Sequence, residues 1–534
     1  MQGKDTTSGD LESTPAADRQ TPNVGHERTS AGGRGNILER ACRACRPKKL
    51  LIHRMNPSCI CVPLQSGVFW LRAAASALVS WCFSGGAGAL PMFIEKLSLR
   101  NVRTFLDNEL IFLHPETTFR TRKQKVVPRS PTAKLLPKPK LTNVNLLLGD
   151  NASGKTTVLQ SIALSSLGPA ARESQIGFRP FVRVNSPSDP PRQPDERNRA
   201  FVTSSFLLHS QDYTSRTQLN YQPGERVEGR IRIHKEGELE SIHFVPPGQD
   251  DDLWQPVYRS SNDSFFCVAY GATRRVDLDQ AGGQGPFGKT SFLRGQRVQS
   301  VFQEAYQLYP LQYWLPALKG TNRKRFKQII KILSHLLKSG SYSFDGKMRE
   351  DEYVFSRGGT AIKFQNLSDG YRAFIGWVAD LLYHMSFACP PDKSLLEMQG
   401  VVMVDEIDLH LHPRWQMKVV RTIAKTFPNL QFIFTSHSPL VASSLEWMNI
   451  ITLKTSPTRN VTKDRRFSEG IHGLDADQVL ISNFFGLATT RTDEKASRLD
   501  RLTERAREGD DEAAKKVIEE LATGSEDEEW SDSQ

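Results

Sequence analysis

The chain has 534 residues, enough for several domains or for one large domain with insertions. Hydrophobic residues make up 38% and charged residues 24%, which is typical of soluble globular proteins and does not separate enzymes from binding modules or scaffolds. The net charge of +11 favours an anionic partner such as nucleic acid, nucleotide or phospholipid. Only two cysteines follow residue 82, which excludes a disulfide scaffold for the body of the protein and suits a reducing cytoplasm.

Residues 1–91 are predicted to be an extension outside the fold, with the natural start at Met92. Residues 1–35 are rich in Gly, Ser, Thr, Asp and Pro and are predicted to be disordered. The apolar run at 67–90 approaches membrane length, but Arg72 interrupts it, so we expect no membrane span there. Four cysteines form a candidate zinc site: Cys42, Cys45, Cys59 and Cys61. The spacing between the last two is shorter than the spacing in a usual zinc knuckle.

The segment MFIEKLSLRNVRTF, from Met92, alternates apolar and polar residues and predicts a β-strand, with NELIFL as its hairpin partner. An exposed, proline-punctuated basic loop is predicted at 114–142. Eight of its residues are basic, and no acidic residue separates them: Arg120, Arg122, Lys123, Lys125, Arg129, Lys134, Lys138 and Lys140. This loop is a candidate nucleic-acid contact, and a solvated insert explains it equally well.

A strand, a glycine-bearing turn and a helix are predicted by NVNLLLGDNASGKTTVLQSIAL at 143–164, and the turn matches G-x-x-x-x-G-K-[ST] in full. Lys155 is expected to reach the β and γ phosphates of a nucleotide, and the Thr156 hydroxyl to bind Mg²⁺. The expected nucleotide-binding residues are Gly149, Asp150, Asn151, Ala152, Ser153, Gly154, Lys155, Thr156 and Thr157.

A β-rich and helical insertion is predicted at 166–345, with strands at AFVTSSFLLHS, RVEGRIRIHK and LESIHFV. A helix is expected from Thr321 because apolar residues recur at helical spacing: Phe326, Ile329, Ile330, Leu333, Leu336 and Leu337. Basic residues are expected on its other face: Arg323, Lys324, Arg325, Lys327 and Lys331.

Three further segments carry candidate chemistry. Ser368 and Gly370 lie in LSDGYR, which precedes an apolar helix and alone would be an ordinary helix cap. Asp405 and Glu406 end the apolar strand GVVMV, where Asp405 is expected to hold Mg²⁺ and Glu406 to take a proton from the attacking water. His437 ends the apolar strand LQFIF and is a candidate γ-phosphate sensor, although a lone histidine is more often structural.

In this order, the motifs resemble those of ABC-type ATPases related to RecF, SMC and OLD proteins. The segments DEIDLHLHPRWQ, FIFTSHSPLVASS and FCVAYGATRR are most similar to bacterial AAA family ATPases of the AAA_21 kind, and the resemblance covers about Met92 to Ala488. It implies an α/β P-loop fold with a mostly parallel central sheet, an antiparallel β-portion and a helical lobe that carries LSDGYR as the signature motif.

The resemblance also implies a head-to-tail homodimer, in which Ser368 and Gly370 would grip the γ-phosphate held by the partner. Asp408 and His412 would lie in the D-loop at the dimer interface. Arg274, close to Gly271, is a candidate position near the nucleotide, and the glutamine-loop residue cannot be placed. OLD nucleases carry a Toprim domain after the histidine strand, but here 97 residues follow His437 without an acidic metal cluster, so nuclease activity is not expected.

The expected function is ATP binding and hydrolysis that drive dimerisation, as a cytoplasmic switch with ATP and Mg²⁺ as cofactors. The switch would be coupled to DNA or RNA, or to a separately encoded effector, in DNA maintenance or phage defence. The alternative is an ATP-binding scaffold or sensor with little turnover, and neither needs a membrane. The ATPase domain is expected at 92–488, followed by a charged, acidic tail at 489–534.

Overall fold

The computed structural model describes most of the chain from Met92 onward. The described residues are 92–117, 138–173, 176–177, 179–184, 189, 194–208, 226–245, 266–276, 293–338, 340–350, 352–456, 458–491 and 493–523. They belong to one compact unit, Val68–Gln534. The predictions for the N-terminal extension, its cysteines, most of the basic loop and the acidic end of the tail lie outside these residues.

The strands are, in chain order, β1 Met92–Val102, β2 Phe105–Ile111, β3 Val144–Gly149, β4 Arg199–Leu208, β5 Arg226–Glu236, β6 Leu239–Val245, β7 Cys267–Tyr270, β8 Ser343–Arg349, β9 Glu352–Arg357, β10 Thr360–Lys363, β11 Gly400–Val404, β12 Leu430–Ser436, β13 Ile450–Ser456 and β14 Val461–Arg465. The α-helices are α1 Lys155–Leu167, α2 Ala170–Glu173, α3 Pro194–Arg197, α4 Leu293–Gln299, α5 Leu311–Thr321, α6 Arg323–Lys338, α7 Asp369–Ala388, α8 Pro413–Thr426, α9 Pro439–Ser443, α10 Ala476–Ile481, α11 Asp493–Arg507 and α12 Asp511–Thr523.

The central sheet has the strand order β14-β13-β3-β12-β11-β7. Its pairs are parallel except for β13 with β14. Every residue of β11 and β12 is buried, as expected for parallel strands that are covered on both faces. The predicted α/β fold with a mostly parallel central sheet is confirmed. The strands of the phosphate loop, the histidine and the Asp-Glu pair are neighbours (β3, β12, β11), so their carboxyl ends meet at one edge.

Alternate residues of the central strands face two separate hydrophobic cores, because side chains of a strand point to opposite faces. Leu147, Met403 and Ile433 pack with α1 and the antiparallel strands. Val402 and Phe432 pack on the other face, with helices α5 to α8. The central sheet is therefore held between a β-rich layer and a helical layer.

The β-rich layer is an antiparallel sheet with the order β2-β1-β4-β5-β6. The predicted hairpin of β1 with β2 is confirmed. The three strands that the sequence predicted within an insertion are β4, β5 and β6, and β4 pairs directly with β1. They therefore extend the same sheet. The buried Gln431 amide fastens this layer to β12, because it accepts from the Ile94 N–H at 2.8 Å and donates to the Ile94 carbonyl at 2.7 Å.

The helical layer contains α6, the helix predicted from Thr321, together with the three-stranded sheet β10-β9-β8. Arg325 was predicted on the solvent face of α6 but is 4% exposed. Its guanidinium donates to the carbonyls of Cys389 and Pro390 at 3.2 and 2.9 Å, and to that of Lys393 at 3.0 Å. It thereby satisfies carbonyls at the C-terminal end of α7, where a cation is favourable.

The described part of the predicted charged tail is a pair of helices, α11 and α12, joined by an ion pair of Arg498 with Glu520 at 2.9 Å. Among the described residues, no helix combines the length and the apolar character that crossing a bilayer requires.

Candidate functional site

The predicted phosphate loop leaves the carboxyl end of β3 and enters α1 at Lys155. Gly154 precedes the helix with φ of +91°, and a Cβ on it would lie 2.6 Å from the Phe105 ring. A side chain is therefore excluded both by conformation and by space. The tip of the loop, Asp150 to Ala152, is exposed, so its backbone is open to a ligand.

The Lys155 side chain curls back over this loop. Its Nζ donates to the carbonyls of Gly149 at 2.9 Å and Asp150 at 3.0 Å. Burial lowers the pKa of Lys155, and the negative charges of Asp405 and Glu406 oppose this shift. A phosphate placed in the loop would compete for an ammonium group that is already beside it, since Lys binds phosphate as a point charge.

Asp405 receives two hydroxyl hydrogen bonds, one on each carboxylate oxygen. Thr156 Oγ1 donates to Oδ2 at 2.7 Å, and Thr435 Oγ1 donates to Oδ1 at 2.5 Å. The structure thus brings together the two predicted metal ligands, Thr156 and Asp405, which are 249 positions apart in the chain. Hard oxygen donors of this kind suit Mg²⁺, which binds proteins through one or two carboxylates and substrate phosphates.

Sequence reasoning gave Thr435 no role. The adjacency of the two strands could have indicated a role. Phe434 pairs with Val404 across β12 and β11, so the residues that follow them, Thr435 and Asp405, are neighbours at the same edge. Thr435 also accepts from the Glu406 N–H at 2.7 Å. One hydroxyl therefore fixes both the carboxylate of Asp405 and the backbone of Glu406.

Glu406 has a left-handed backbone, with φ of +48°. Such a conformation is uncommon for a residue other than glycine and persists only where the surroundings hold it. It turns the chain immediately after β11, at the edge where Lys155 and Thr156 lie. Glu406 itself is half-buried.

Arg274, which follows β7, also stabilises the backbone turn at Asp405 and Glu406. Its guanidinium donates to the carbonyl of Asp405 and, at 3.0 Å, to the carbonyl of Glu406. It is 4% exposed, and burial lowers its pKa to about 10 against the attraction of the neighbouring carboxylates. The sequence suggested a position near the nucleotide. The structure places Arg274 under the Asp-Glu turn, with two donors on backbone carbonyls, which makes it a candidate positioning residue.

Arg274→Lys is expected to lower kcat for ATP by about tenfold or more while ATP affinity changes little. Lysine keeps the charge but loses the planar fork that reaches both carbonyls, and a hydrogen bond from a charged group is worth about 1.5–3 kcal/mol. Steady-state kinetics and equilibrium ATP binding measure the two effects separately. Arg275→Lys, at the exposed neighbour, is the matched control. An unaltered kcat in Arg274→Lys would show that the turn does not need this support.

His437 follows β12 and is half-buried between the strands of the phosphate loop and the Asp-Glu pair. Burial, followed by the positive charge of Lys155, lowers the pKa of His437 and so favours its neutral ring. A neutral imidazole can donate one hydrogen bond from one nitrogen. The placement agrees with the predicted sensor position, and the role itself stays a prediction.

Two predicted ligands of the loop, Ser153 and Thr157, are buried. The Thr157 hydroxyl accepts from Arg103 at 3.0 Å, an arginine that also donates to Gln160 at 2.8 Å. Ser153 is fully buried, and its hydroxyl has no hydrogen-bond partner among the described residues. Thr157 is thus engaged with the antiparallel layer, and phosphate contacts from this part of the loop would come from the backbone.

The LSDGYR segment forms the start of α7. Ser368 is the exposed N-cap residue, and its side chain makes no capping hydrogen bond. Gly370 is buried against the loop that follows the Asp-Glu pair, and a Cβ on it would lie 2.3 Å from the His410 carbonyl oxygen. An exposed hydroxyl at the N-terminus of a 20-residue helix is well placed for an anion.

The predicted D-loop follows the Asp-Glu pair and contains Asp408 and His412. His412 Nδ1 accepts from the Arg414 N–H at 3.2 Å and so caps α8, a structural role that the sequence prediction had not included. Asp408 Oδ1 is buried without a hydrogen-bond partner among the described residues. The placement of Asp408 and His412 at a dimer interface stays a prediction.

Comparison with known proteins gives one family match. The family AAA_21, described as "AAA domain, putative AbiEii toxin, Type IV TA system", matches residues 271–443, which include Arg274, Ser368, Asp405, Glu406 and His437. This match covers about a third of the chain, which is similar to an AAA domain there. Together with the α/β fold, this match confirms the expectation of an ABC-type AAA ATPase.

Relatives carry names of two kinds. A Septu protein PtuA of Bacillus mycoides (strain KBAB4) is 24% identical over 65% of this chain and 41% of its own length. A retron Ec83 "probable ATPase" of Escherichia coli is 31% identical over 28% of this chain and 26% of its own length. The chain thus spans less than half the length of both relatives. A solved SMC head bound to the C-winged helix domain of ScpA aligns with 70% of this chain and 98% of its own, at 15% identity and a TM-score of 0.42.

Proposed function

We propose that this protein binds and hydrolyses ATP and uses the cycle to join and release two copies of itself. The observation that carries the proposal is the meeting of Lys155, Thr156, Asp405 and Glu406 at one sheet edge, with Thr435 and Arg274 holding the Asp-Glu turn. A nucleoside triphosphate with a divalent cation is the ligand that this set of groups suits.

The phosphate loop would hold the triphosphate through its backbone N–H groups and the Lys155 ammonium. Thr156 and Asp405 would hold Mg²⁺, which would draw charge from the β and γ phosphates. Glu406, directly after Asp405, would accept the proton of the attacking water and so act as the general base. His437 would donate one hydrogen bond to the γ-phosphate.

Dimerisation is supported by the exposure of Ser368. The Ser368 hydroxyl is exposed at the N-terminus of α7, the end of a helix that favours an anion. We propose that this end completes the nucleotide site of a second copy and that ATP joins the two copies. The cycle would be coupled to nucleic acid or to a separately encoded effector, in DNA maintenance or phage defence.

Ser368→Arg is expected to leave ATP binding intact and to reduce ATP-dependent dimerisation by about tenfold or more, because a bulky side chain would stand where a phosphate should dock. Sedimentation with and without ATP measures the dimer. Ser497→Arg, at an exposed serine of α11, is the control for added charge and bulk. If Ser368→Arg dimerises with ATP as the wild type does, α7 does not complete a partner's site.

Steady-state hydrolysis separates this switch from an ATP-binding scaffold. A switch should release phosphate continuously, with a rate that changes on addition of DNA or of the effector. A scaffold would bind ATP and dimerise, but would release phosphate no faster than an inactivated Glu406→Gln variant. The second result would replace the proposed cycle by ATP-dependent assembly alone.

A further inference from the structure

Two strongly basic helices of the helical layer contain no acidic residue. They are α6, RKRFKQIIKILSHLLK, and α8, PRWQMKVVRTIAKT. The chain has 59 acidic residues among 534, so about three would be expected in the 30 positions that these helices occupy (16 in α6 and 14 in α8). Their basic residues outside the core are Arg323, Lys324, Lys327, Lys331, Lys338, Arg414, Lys418, Arg421 and Lys425.

Packing fixes which side of each helix faces solvent. On α6, Ile329, Leu333 and Leu336 are buried, and on α8 Trp415 and Val419 are buried. The exposed side chains on both helices are basic residues, His335, Pro413 and Met417. We call this surface the basic helix pair.

The cations of the basic helix pair form no ion pair with any residue in the described part of the chain. Some exposed lysines elsewhere are paired, as in Lys96 with Glu109 at 2.6 Å and Lys347 with Asp345 at 2.8 Å. An anionic partner would therefore meet these cations without first breaking an ion pair to a described residue.

The two helices touch where α6 ends and α8 begins. Gly340, two positions after α6, lies so close to α8 that a Cβ on it would be 2.6 Å from Trp415 Nε1. On α8 the cations recur at intervals of four, three and four residues, so they form one row. At 1.5 Å per residue, the helices are about 24 and 21 Å long. The surface is thus large enough to follow a polyanion over several phosphates.

The composition of the exposed side chains selects among polyanions. Single strands are bound by stacking bases on aromatic side chains, but the aromatic residues here, Phe326 and Trp415, are half-buried and buried. Duplex RNA is read through its 2′-hydroxyls, for which this surface offers hardly any exposed neutral polar side chain. A helix that inserts into a membrane surface does so with an apolar face, and the apolar faces of these two helices are buried in the core.

We propose that the basic helix pair binds the phosphate backbone of duplex DNA without reading its sequence. The proposal rests on the part of the proposed function that couples the ATP cycle to nucleic acid, and it names duplex DNA as that nucleic acid. It also assigns the contact to elements other than the basic loop at 114–142. Since α8 begins at Pro413, directly after His412 of the predicted D-loop, DNA on this surface would lie beside the region where two copies are proposed to meet.

The test measures affinity for a short labelled DNA duplex across a salt series, without nucleotide, so that it does not depend on ATP hydrolysis. The variants are Lys327→Gln with Lys331→Gln on α6, and Lys418→Gln with Lys425→Gln on α8. Each pair is expected to lower the steepness of log Kd against log salt by about 1.8, at ~0.9 per phosphate contact, and to weaken binding at low salt by tenfold or more. Lys515→Gln with Lys516→Gln, exposed on α12, is the matched control.

Wild-type slopes in both pairs would overturn the proposal, as would an equal flattening by the α12 control. Duplex RNA and anionic phosphatidylserine vesicles are run in parallel. Binding to either that matches or exceeds binding to DNA, and that both pairs weaken, would overturn the choice of DNA. Basal ATP hydrolysis of the α6 and α8 variants should equal that of the wild type. If no form of the protein hydrolyses ATP while the salt slopes respond as expected, the DNA proposal stands and the proposed ATPase cycle fails.

Discussion

Lys155→Ala is expected to weaken ATP binding by about a hundredfold or more. The ammonium group of Lys155 is the only side-chain cation that the described part of the phosphate loop holds beside its own carbonyls. Hydrogen bonds from charged groups are worth about 1.5–3 kcal/mol each, and two such contacts to the β and γ phosphates account for a loss of this size. Hydrolysis and ATP-dependent dimerisation should disappear with binding.

Equilibrium titration with a fluorescent ATP analogue measures the loss, and the thermal midpoint of unfolding checks that the fold is intact. Lys463→Ala removes an equal charge from an exposed position on β14 and should bind ATP normally. If Lys155→Ala binds ATP like the wild type, the assignment of the phosphate loop is wrong, whatever the behaviour of the control.

Glu406→Gln is expected to keep ATP binding and to lower hydrolysis by about 10²- to 10⁴-fold, the range that general-base catalysis usually supplies. Glutamine retains the shape of the side chain and the left-handed turn, but it cannot accept a proton from water. ATP that is bound but not cleaved should leave the dimer assembled, so this variant should sediment as a stable dimer with ATP.

Phosphate release and sedimentation of the same sample test both parts of this expectation. Glu504→Gln, at an exposed glutamate of α11, controls for the loss of one carboxylate and should leave both readouts at wild-type values. Hydrolysis by Glu406→Gln at the wild-type rate would mean that another group takes the proton.

The sequence predicted the parts of the fold that follow from local patterns. The sequence alone predicted the strand, loop and helix around Lys155, and the apolar strands before Asp405 and His437. These strands are recognisable because buried parallel strands are continuously apolar and end in polar residues. The resemblance, which rests on the order of the motifs, implied that these strands are neighbours in one sheet. The meeting of Thr156 with Asp405 is a consequence of this adjacency.

Other features depend on partners far away in the chain. Arg325 occupies a basic position in a helical pattern, and its burial is understandable only from the carbonyls that end α7, beginning 64 positions later. Arg274 has the same character, since its partners are backbone carbonyls 131 and 132 positions away. A pattern of residue types carries no information on such backbone contacts. The predicted insertion is a similar case, because nothing local shows that β4 pairs with β1.

The close contact of Gly370 with the His410 carbonyl has a consequence for how two nucleotide sites would communicate. In the proposed dimer, the ATP bound by one copy contacts the start of α7 of the second copy. Within that second copy, α7 packs against the backbone of His410, four residues after its own Glu406. With no room for even a methyl group between them, a shift of either segment displaces the other. Each bound ATP would thus adjust the geometry of the opposite site, and ATP turnover should be cooperative, with a sigmoidal dependence of rate on ATP concentration.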